Sequence, residues 1–457
     1  MQADFAVILA AGRGTRMKSE LAKVLHPILG RPMVAHVAAA ASAAGLAPVV
    51  VVNHQEEAVR AALQGSAIRF ARQEQTRGTG DAVASALSAL PDSGTVVVMA
   101  GDAPLLRAET ISRLHEAHGD AAVTVLTAVV EDGAHYGRLE RDGECQPLRI
   151  VEAREATPDQ LAIREINTGL YCFDIGWLRT VLPTLKPHAH KDEIYLTDVV
   201  EIAAQQRRCH VLIHDDLAEV QGVNDRFELG QAREVMQARI VEHHARNGVD
   251  FERPSWVVVE PDVTIAPDVR IGPGVILRGQ TRIAAGAQVG AHCEIINAVI
   301  GEDACIHSFS QLDSATIERG GSVGPYARLR PGSWICEGAR VGNFVEIKAS
   351  RLGPGAKANH LTYLGDTTVG SGANIGAGTI TCNYDGFNKS KTDIGDGAFI
   401  GSNTALVAPI TVGEGAIVGA GSVITKAVPS DAVAIARGVQ NNIEGAADRF
   451  RARKATK

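Results

Sequence analysis

The 457-residue sequence lacks several features that would place it in a specialised class of protein. Its seven cysteines are scattered, with no Cys-x-x-Cys pair and no zinc-like spacing, so we expect neither a disulfide framework nor a structural zinc site. No apolar run approaches the length of a membrane span, and the first residues are not typical of a signal peptide. The net charge of −7 gives no reason to expect nucleic acid or an acidic membrane as a partner. We therefore predict a cytoplasmic protein with reduced thiols, no membrane partner and no nucleic-acid partner.

Aromatic residues are also scarce, at 4%, whereas glycine is abundant, with 47 residues. Many of the glycines follow aliphatic residues that recur at every sixth position between Val259 and Ile424. A period of six fits neither a plain helix nor a plain strand. It predicts a left-handed parallel β-helix of hexapeptide repeats, in which three hexads form a coil of about eighteen residues. The longest runs of these anchors are Val259, Ile265, Ile271, Leu277, Ile283, Val289 and Ile295; Ile317, Val323, Leu329, Ile335, Val341 and Ile347; and Ile394, Ile400, Leu406, Val412, Val418 and Ile424.

The predicted coils stack at the usual strand spacing of roughly 4.8 Å, so roughly nine of them form a prism on the order of 45 Å long. Glycine is expected after an anchor because the tight corner favours a residue without a Cβ atom. A prism of this kind exposes flat faces. Burying one face from each of three copies would make a homotrimer, which is our hypothesis for the oligomeric state.

The first half of the sequence alternates apolar strands with helical segments, which indicates an α/β domain with a Rossmann-like sheet. Its first strand, residues 5–9, runs into a glycine-rich turn that carries Arg13, Arg16 and Lys18. Backbone amides and cations of this kind suit a phosphate group. The turn is not a P-loop, and it is not a dinucleotide fingerprint because Met17 replaces the third glycine. A tight turn with solvated cations remains the alternative interpretation.

The segment Leu9–Met17, with Lys23 downstream, resembles the signature of sugar-nucleotide pyrophosphorylases. Together with the hexapeptide repeats, nearly the whole chain resembles the bifunctional N-acetylglucosamine-1-phosphate uridyltransferase/glucosamine-1-phosphate N-acetyltransferase family. The resemblance implies a uridyltransferase domain over residues 1–225 and an acetyltransferase domain over residues 249–457, the β-helix with a C-terminal tail. Residues 226–248 between them are predicted to form a linker helix, with Asp225 as its N-cap.

Asp102 follows the apolar strand 95–99, where a carboxylate at a strand end can hold Mg²⁺. Taken alone, such an aspartate is more often a helix cap or a turn former. The resemblance implies that Asp102 and Asn224 are the protein ligands of Mg²⁺. The family usually carries an aromatic residue where this chain has Ala100, and a proline where it has Ala22.

The resemblance also implies the residues that bind UTP and the acceptor sugar. Gln73, Gly78 and Thr79 would contact uridine, although an N-cap and turn explain these residues equally well without the resemblance. Gly137, Glu152 and Asn167 would hold the sugar, since a neutral sugar needs paired donors and acceptors. Arg16 and Lys23 would stabilise charge during the reaction, and we assign no catalytic role to the charged loop 191–198. The full set implied for UDP-N-acetylglucosamine is Leu9, Ala10, Ala11, Gly12, Lys23, Gln73, Gly78, Thr79, Gly137, Glu152, Asn167 and Asn224.

A second candidate site lies on the predicted β-helix. Arg330 and Lys348 each follow an anchor and are separated by one coil, so their side chains should stack roughly 5 Å apart. Two like charges at that distance repel each other unless an anion lies between them. Two solvated corner cations are the alternative. His360 can act as a base near neutral pH, and residues 383–389 interrupt the repeats as functional insertions do.

The resemblance to hexapeptide acyltransferases makes His360 the general base that deprotonates the amino sugar. It assigns the amino-sugar phosphate to Arg330, Lys348, Tyr363, Asn374, Asn383 and Tyr384. It assigns acetyl-CoA to Ala377, Asn383, Tyr384, Ser402, Ala420 and Arg437.

The predicted function is therefore the synthesis of UDP-N-acetylglucosamine in two steps. Acetyl-CoA acetylates glucosamine-1-phosphate, and the product then reacts with UTP and releases pyrophosphate. UDP-N-acetylglucosamine would supply peptidoglycan and lipopolysaccharide synthesis. Two alternatives stay open: a nucleotidyltransferase whose β-helix only regulates or assembles, and a trimeric scaffold that binds sugar nucleotides without catalysis. His360 argues against the first alternative and Asp102 against the second.

Overall fold

The computed structural model describes residues 4–188 and 192–455. The chain divides into two compact units, Met1–Gln237 and Ala238–Lys457, and the division falls within the helix Arg226–Arg246. This helix confirms the predicted helical segment. Asp225 caps it as expected, because its Oδ1 accepts hydrogen bonds from the amides of Phe227 and Glu228, each at 2.9 Å.

The first unit is built on a mixed β-sheet, which has nine strands within the part of the chain that the structure describes. Phe5–Leu9 pairs in parallel with Ala47–Val52 and with Thr95–Ala100, and Glu165–Asp174 runs antiparallel to the latter. Across the sheet the strands are Cys209–Ile213, Val123–Val129, Glu165–Asp174, Thr95–Ala100, Phe5–Leu9, Ala47–Val52 and Arg69–Arg72, with the hairpin Arg138–Arg141 and Pro147–Val151 joined to Glu165–Asp174. A separate small pair is formed by Pro27–Ile28 and Arg31–Pro32.

Helices cover both faces of this sheet because alternate residues of each strand point to opposite sides. Val96 and Val98 enter one buried core, whereas Val97 and Met99 enter another. The α-helices of the unit are Met33–Ala43, Glu56–Ala62, Thr79–Ala86, Ala108–Glu116, Pro158–Leu161, Ile175–Val181, Asp198–Gln205, Leu217–Val220 and the start of Arg226–Arg246; short 3₁₀ turns span Thr15–Met17, Lys23–Leu25, Leu87–Ala89 and Leu182–Thr184.

The order of the strands decides where the loops meet. Leu9 is paired with Val51 and with Ala100, so these three parallel strands have their carboxyl ends on the same side of the sheet. Because Glu165–Asp174 is antiparallel, its early residue Asn167 lies on that side as well. Ligands of parallel sheets bind at the carboxyl ends of the strands, and the candidate site of this unit lies there.

The second unit is a parallel β-helix of short strands, as the hexad period predicts. Successive coils pair in register, with Leu277 beside Ile295 and Leu329 beside Ile347, and the aliphatic anchors form one continuous buried core. The first sheet contains Asp250–Phe251, Arg270–Ile271, Gln288–Val289, Cys305–Ile306, Ser322–Val323, Arg340–Asn343, Lys357–His360, Asn374–Ile375, Phe399–Ile400, Ile417–Val418 and Val433–Ala434.

The other two sheets complete each coil. One contains Val258–Val259, Ile276–Arg278, Glu294–Ile296, Gln311–Asp313, Arg328–Leu329, Glu346–Lys348, Tyr363–Gly365, Ile380–Cys382, Ala405–Val407 and Val423–Ile424. The other contains Thr264–Ile265, Arg282–Ile283, Val299–Ile300, Thr316–Ile317, Trp334–Ile335, Arg351–Leu352, Thr367–Val369, Thr392–Ile394 and Ile410–Val412. A 3₁₀ turn, Pro254–Trp256, lies between the strands Asp250–Phe251 and Val258–Val259, and the helix Ala446–Ala455 follows the last coil.

Close approach of successive coils explains the glycines that follow the anchors. A Cβ atom at Gly272 would lie 2.8 Å from the amide nitrogen of Ala291, and one at Gly290 would lie 2.7 Å from that of Ser308. Side chains do occupy other corners of the coil with positive φ. The rings of Phe309 and Tyr326, for example, stack there with centroids 4.9 Å apart.

All seven cysteines, which lie within the described residues, are free thiols. Among the described residues there is no helix long and apolar enough to span a membrane.

Candidate active sites

A cavity of about 640 Å³ opens at the carboxyl ends of the first unit's parallel strands. The glycine-rich turn after Phe5–Leu9 forms one side of it, and the loop before the helix Thr79–Ala86 forms another. Predicted residues in its lining are Leu9, Ala11, Gly12, Arg16, Lys23, Gln73, Gly78 and Thr79. Ala10 lies behind this wall. It is 1% exposed and its amide donates to the carbonyl of Val51, so a direct role for Ala10 stays a prediction.

A second cavity of about 250 Å³ adjoins the first one. It is lined by the predicted residues Asp102, Gly137, Glu152, Asn167 and Asn224. Ala100 and Asp102 line both cavities, so the two spaces meet where the strand Thr95–Ala100 ends. This arrangement can hold a nucleotide in the larger cavity and a smaller molecule in the other, with their reacting groups beside Asp102.

Asp102 and Asn224 converge on one positively charged group. The Lys23 ammonium contacts Oδ2 of Asp102 and lies 3.3 Å from Oδ1 of Asn224, which also accepts a hydrogen bond from Arg16 at 2.8 Å. The amide of Val223 donates to the carbonyl of Asp102 at 2.8 Å and brings Asn224 into place.

The two oxygens fit a magnesium site. Carboxylate and amide oxygens are ligands that Mg²⁺ accepts, and such sites are usually completed by water and substrate phosphates. The Lys23 ammonium already stands where a cation would be held. Among the described residues there is no group of three or more His, Cys, Asp or Glu side chains that could bind a metal by itself, so a metal here would depend on substrate oxygens.

Polar contacts hold the lining of the smaller cavity in position. Glu152 Oε1 accepts a hydrogen bond from Thr197 Oγ1 at 3.1 Å, and burial raises the pKa of the Glu152 carboxyl. Asn167 donates to the hydroxyl of Tyr171 at 2.7 Å, next to a bulge in its strand. Burial raises the pKa of Tyr136 to about 12, with the Glu228 and Asp102 carboxylates acting in the same direction. The Tyr136 hydroxyl in the wall of this cavity is therefore neutral near neutral pH.

The loop that enters the helix Asp198–Gln205 contributes residues that the sequence did not point to. Glu193 and Tyr195 line the larger cavity, whereas Lys191, the first residue of the predicted loop, lies outside the described residues. The loop packs tightly on the turn at Gly78 that precedes the helix Thr79–Ala86. A Cβ atom at Gly78 (φ 95°) would lie 2.5 Å from the carbonyl oxygen of Ile194. Thr79 Oγ1 accepts from the amide of Leu196 at 3.0 Å. No periodicity or motif relates these two distant segments.

In the second unit His360 lies at the end of the strand Lys357–His360, one coil beyond Asn343. Its Nδ1 is 2.9 Å from Oδ1 of Asn343. When Nδ1 carries the proton and donates it to this oxygen, Nε2 is left with a free lone pair, which is the state that a general base requires. Like Glu193 and Tyr195, Asn343 is a residue of the site to which no sequence pattern pointed.

Each of the two stacked cations has a carboxylate partner, and the phosphate expected between them stays a prediction. Arg330 donates to Glu346 at 2.9 Å, and Lys348 Nζ lies 3.7 Å from Asp366. Positive charge still predominates here, since the inserted loop brings Lys389 next to Lys348, whose ammonium lowers the pKa of Lys389.

The interruption of the repeats is confirmed: the chain departs from the coil between the strands Ile380–Cys382 and Thr392–Ile394. Asn383 is 7% exposed and donates to Asp366 Oδ2 at 2.5 Å, whereas Tyr384 is 61% exposed. Tyr363 and Asn383 close over Gly365, where a Cβ atom would lie 2.7 Å from Asn383 Nδ2. Asn374 begins the strand Asn374–Ile375 of the first sheet, which directly precedes the strand Ile380–Cys382 in the chain.

The residues predicted for acetyl-CoA form a column along successive coils. The carbonyl of Ala377 accepts from the amide of Asn403, and that of Ser402 accepts from Gly421. Arg437 then donates to the carbonyl of Ala420 at 2.8 Å. The structure thus brings Ala377, Ser402, Ala420 and Arg437 to one side of the β-helix, which is what an extended cofactor needs. Their contact with acetyl-CoA stays a prediction.

Comparison with known proteins places both units in transferase classes. Residues 6–171 match the MobA-like NTP transferase domain, and residues 391–426 match the bacterial transferase hexapeptide, six repeats. The first unit is thus a nucleotidyltransferase domain, and the second is a left-handed β-helix of the hexapeptide transferases.

Full-length relatives narrow this class. The chain is 45% identical over 452 residues to the bifunctional protein GlmU of Trichlorobacter lovleyi, with 97% of this chain and 98% of the relative covered. It is 46% identical over 456 residues to the bifunctional protein GlmU of Streptococcus suis, with 98% of each covered. The chain belongs to the GlmU family of bifunctional proteins. This confirms the predicted resemblance and the two transferase activities that it implies, uridylyl transfer and acetyl transfer.

Proposed function

We propose that the first unit joins UTP and N-acetylglucosamine-1-phosphate at the junction of its two cavities. The observation that supports this most directly is the convergence of Arg16, Lys23 and Asn224 beside Asp102, where both cavities meet. UTP would occupy the larger cavity, with its phosphates on the glycine-rich turn. The sugar would occupy the smaller cavity, against Glu152 and Asn167.

In the proposed reaction a phosphate oxygen of the sugar attacks the α-phosphorus of UTP. The bond from the α-phosphorus to its bridging oxygen breaks, and pyrophosphate leaves with the electron pair. Arg16 and Lys23 offset the negative charge that gathers on the phosphates. Mg²⁺ held by Asp102 and Asn224 would neutralise further charge on the triphosphate. The chain's remaining role is positioning, since in-line attack requires both substrates to be fixed.

The second unit acetylates glucosamine-1-phosphate in this proposal. His360 Nε2 accepts a proton from the sugar ammonium, and the free amine attacks the thioester carbonyl of acetyl-CoA and releases CoA. Asn343 orients the imidazole, and Arg330, Lys348 and Lys389 provide the positive charge for the sugar phosphate. Acetyl-CoA would extend along the column from Ala377 to Arg437.

A homotrimer is proposed as the working form. Large apolar side chains near the end of the second unit are exposed, including Ile435 at 61% and Val439 at 89%, and a second copy of the chain would cover them. Light scattering coupled to size exclusion measures this directly. A monomer at micromolar concentration would overturn the proposal.

The proposed activities are tested by omitting one substrate at a time from purified protein supplied with glucosamine-1-phosphate, acetyl-CoA, UTP and Mg²⁺. Free CoA and pyrophosphate are followed separately. CoA release without UTP, and pyrophosphate release only with acetyl-CoA or pre-acetylated sugar, support both activities. Release of pyrophosphate without any release of CoA would show that the β-helix is only a scaffold. Release of neither product would show that the protein binds these molecules without catalysing either reaction.

A further inference from the structure

His188 lies outside the residues assigned above and joins two acidic side chains. Its Nε2 is 2.9 Å from Oδ2 of Asp198, and its Nδ1 is 3.4 Å from Oε1 of Glu155. The imidazole is 30% exposed and the carboxylates are 32% and 39% exposed, so the cluster is shielded only in part from water.

The two carboxylates belong to two segments that meet at Glu152, a residue of the smaller cavity's wall. Glu155 ends the turn that starts at Glu152, with its amide donating to the Glu152 carbonyl at 2.9 Å. Asp198 begins the helix Asp198–Gln205 and directly follows Thr197, which donates to the Glu152 carboxylate. His188 therefore joins the two segments whose Thr197–Glu152 hydrogen bond positions the Glu152 carboxylate.

The same imidazole also supports the larger cavity. Its ring lies 4.5 Å from the ring of Tyr195, and the amide of His188 donates to the carbonyl of Glu193 at 2.9 Å. Tyr195 and Glu193 line the larger cavity, and the amide of Ile194 between them donates to the carbonyl of Arg77 at 2.7 Å. His188 thus contacts a segment that lines the larger cavity and that also holds Glu152, in the wall of the smaller cavity, through Thr197.

We propose that His188 is a positioning residue for uridylyl transfer, and that its imidazolium holds residues 192–198 against the turn 152–155 so that Glu152 is placed for the acceptor sugar. This inference rests on the proposed function of the first unit. Because His188 lines neither cavity, its replacement should change the Michaelis constant of the sugar phosphate and leave the chemical step unchanged.

The protonation state of the imidazole decides how many carboxylates it can hold. A neutral imidazole has one N–H and donates to one carboxylate, whereas the imidazolium donates to both. Among the described residues, the ionisable groups around it are Asp198, Glu155, Glu152, Glu193 and Tyr195. The hydrogen bond to Asp198, with the charges of Asp198 and Glu155, raises the pKa of His188. The clamp is therefore complete below the ordinary histidine pKa and is lost as the pH rises through the raised value.

The test measures the Michaelis constant of N-acetylglucosamine-1-phosphate at about pH 6 and about pH 9 in His188→Gln and His188→Lys. We expect His188→Gln to raise this constant about fivefold at the lower pH and to bring it close to the wild-type value at the higher pH. His188→Lys keeps a cation between the carboxylates at both pH values and should retain the low constant throughout. His210→Gln, at an exposed strand position, is the matched control. Any change of its Michaelis constant with pH that the wild type shares includes the titration of the substrate's own phosphate.

Equal constants in His188→Gln and the wild type at the lower pH would overturn the proposal, and so would failure of lysine to restore binding. The kcat for pyrophosphate release at saturating sugar phosphate reports whether the first unit of each variant is folded, because the proposed role of His188 leaves the chemical step unchanged. If wild-type protein releases CoA but no pyrophosphate, the proposed function of the first unit fails. If it releases pyrophosphate and His188→Gln matches it in every constant, only the role of His188 fails.

Discussion

Asp102 and Asn224 lie far apart along the chain, yet an oxygen of each contacts the ammonium group of Lys23. Asp102 follows the strand Thr95–Ala100, whereas Asn224 precedes the helix Arg226–Arg246, and the hydrogen bond from Val223 to the Asp102 carbonyl joins the two segments. The two oxygens are brought together by the tertiary structure and not by the local sequence around either residue. The site therefore exists only when the whole first unit is folded.

Asp102→Asn should lower kcat for pyrophosphate release on the order of 10²- to 10³-fold, because one anionic ligand of the proposed Mg²⁺ is lost. CoA release should not change. Chelation of divalent cations with EDTA should likewise stop pyrophosphate release and spare CoA release. Asp92→Asn is the matched control, since that side chain is fully exposed. Full uridylyl transfer by Asp102→Asn would contradict the assignment of the metal site.

Lys23→Met should change metal binding as well as activity. The Lys23 ammonium stands where the two oxygens converge, so in the absence of nucleotide it competes with a divalent cation for them. We expect the variant to bind Mn²⁺ more tightly than the wild type when no UTP is present, although its pyrophosphate release is slower. Titration of free Mn²⁺ by electron paramagnetic resonance measures this, and weaker binding by the variant would show that Lys23 does not occupy the cation position.

His360→Asn should reduce CoA release on the order of 10²- to 10⁴-fold, because the general base is removed. Asn343→Ala should have a smaller effect, roughly tenfold, since it loses the hydrogen bond that orients the imidazole but keeps the base. Pyrophosphate release from pre-acetylated sugar is the internal control for both variants. Normal CoA release by His360→Asn would show that His360 is not the general base.

Gly78→Ala should raise the Michaelis constant of UTP. Its Cβ atom would lie 2.5 Å from the carbonyl of Ile194, so residues 193–196 would have to move away from the larger cavity. Gly65→Ala is a close control, because Gly65 also has a positive φ, of 87°, but a Cβ atom there has no neighbour within 4 Å. Both variants carry similar backbone strain. If both raise the constant equally, the contact with Ile194 has no part in nucleotide binding.

The β-helix was predictable because its cause is local and repeated. Each aliphatic anchor specifies the same inward position six residues further on, so many weak signals agree, and the observed pairing of Leu329 with Ile347 follows from that spacing. The capped helix after Asp225 was predictable for a similar reason, since a cap acts within three residues. The interruption after Cys382 showed itself as a break in the same period.

Chemistry at the two sites depended on the tertiary structure. The sequence pointed to Asp102, Glu152, His360 and the stacked cations as residue types, and to their partners only through a family resemblance. It did not reveal that Glu346 and Asp366 pair with Arg330 and Lys348, or that Asn343 orients His360. These contacts join residues about one coil or many strands apart. Side-chain geometry at that distance is decided by the order and register of the strands, whereas the sequence alone determines the local periods from which those strands form.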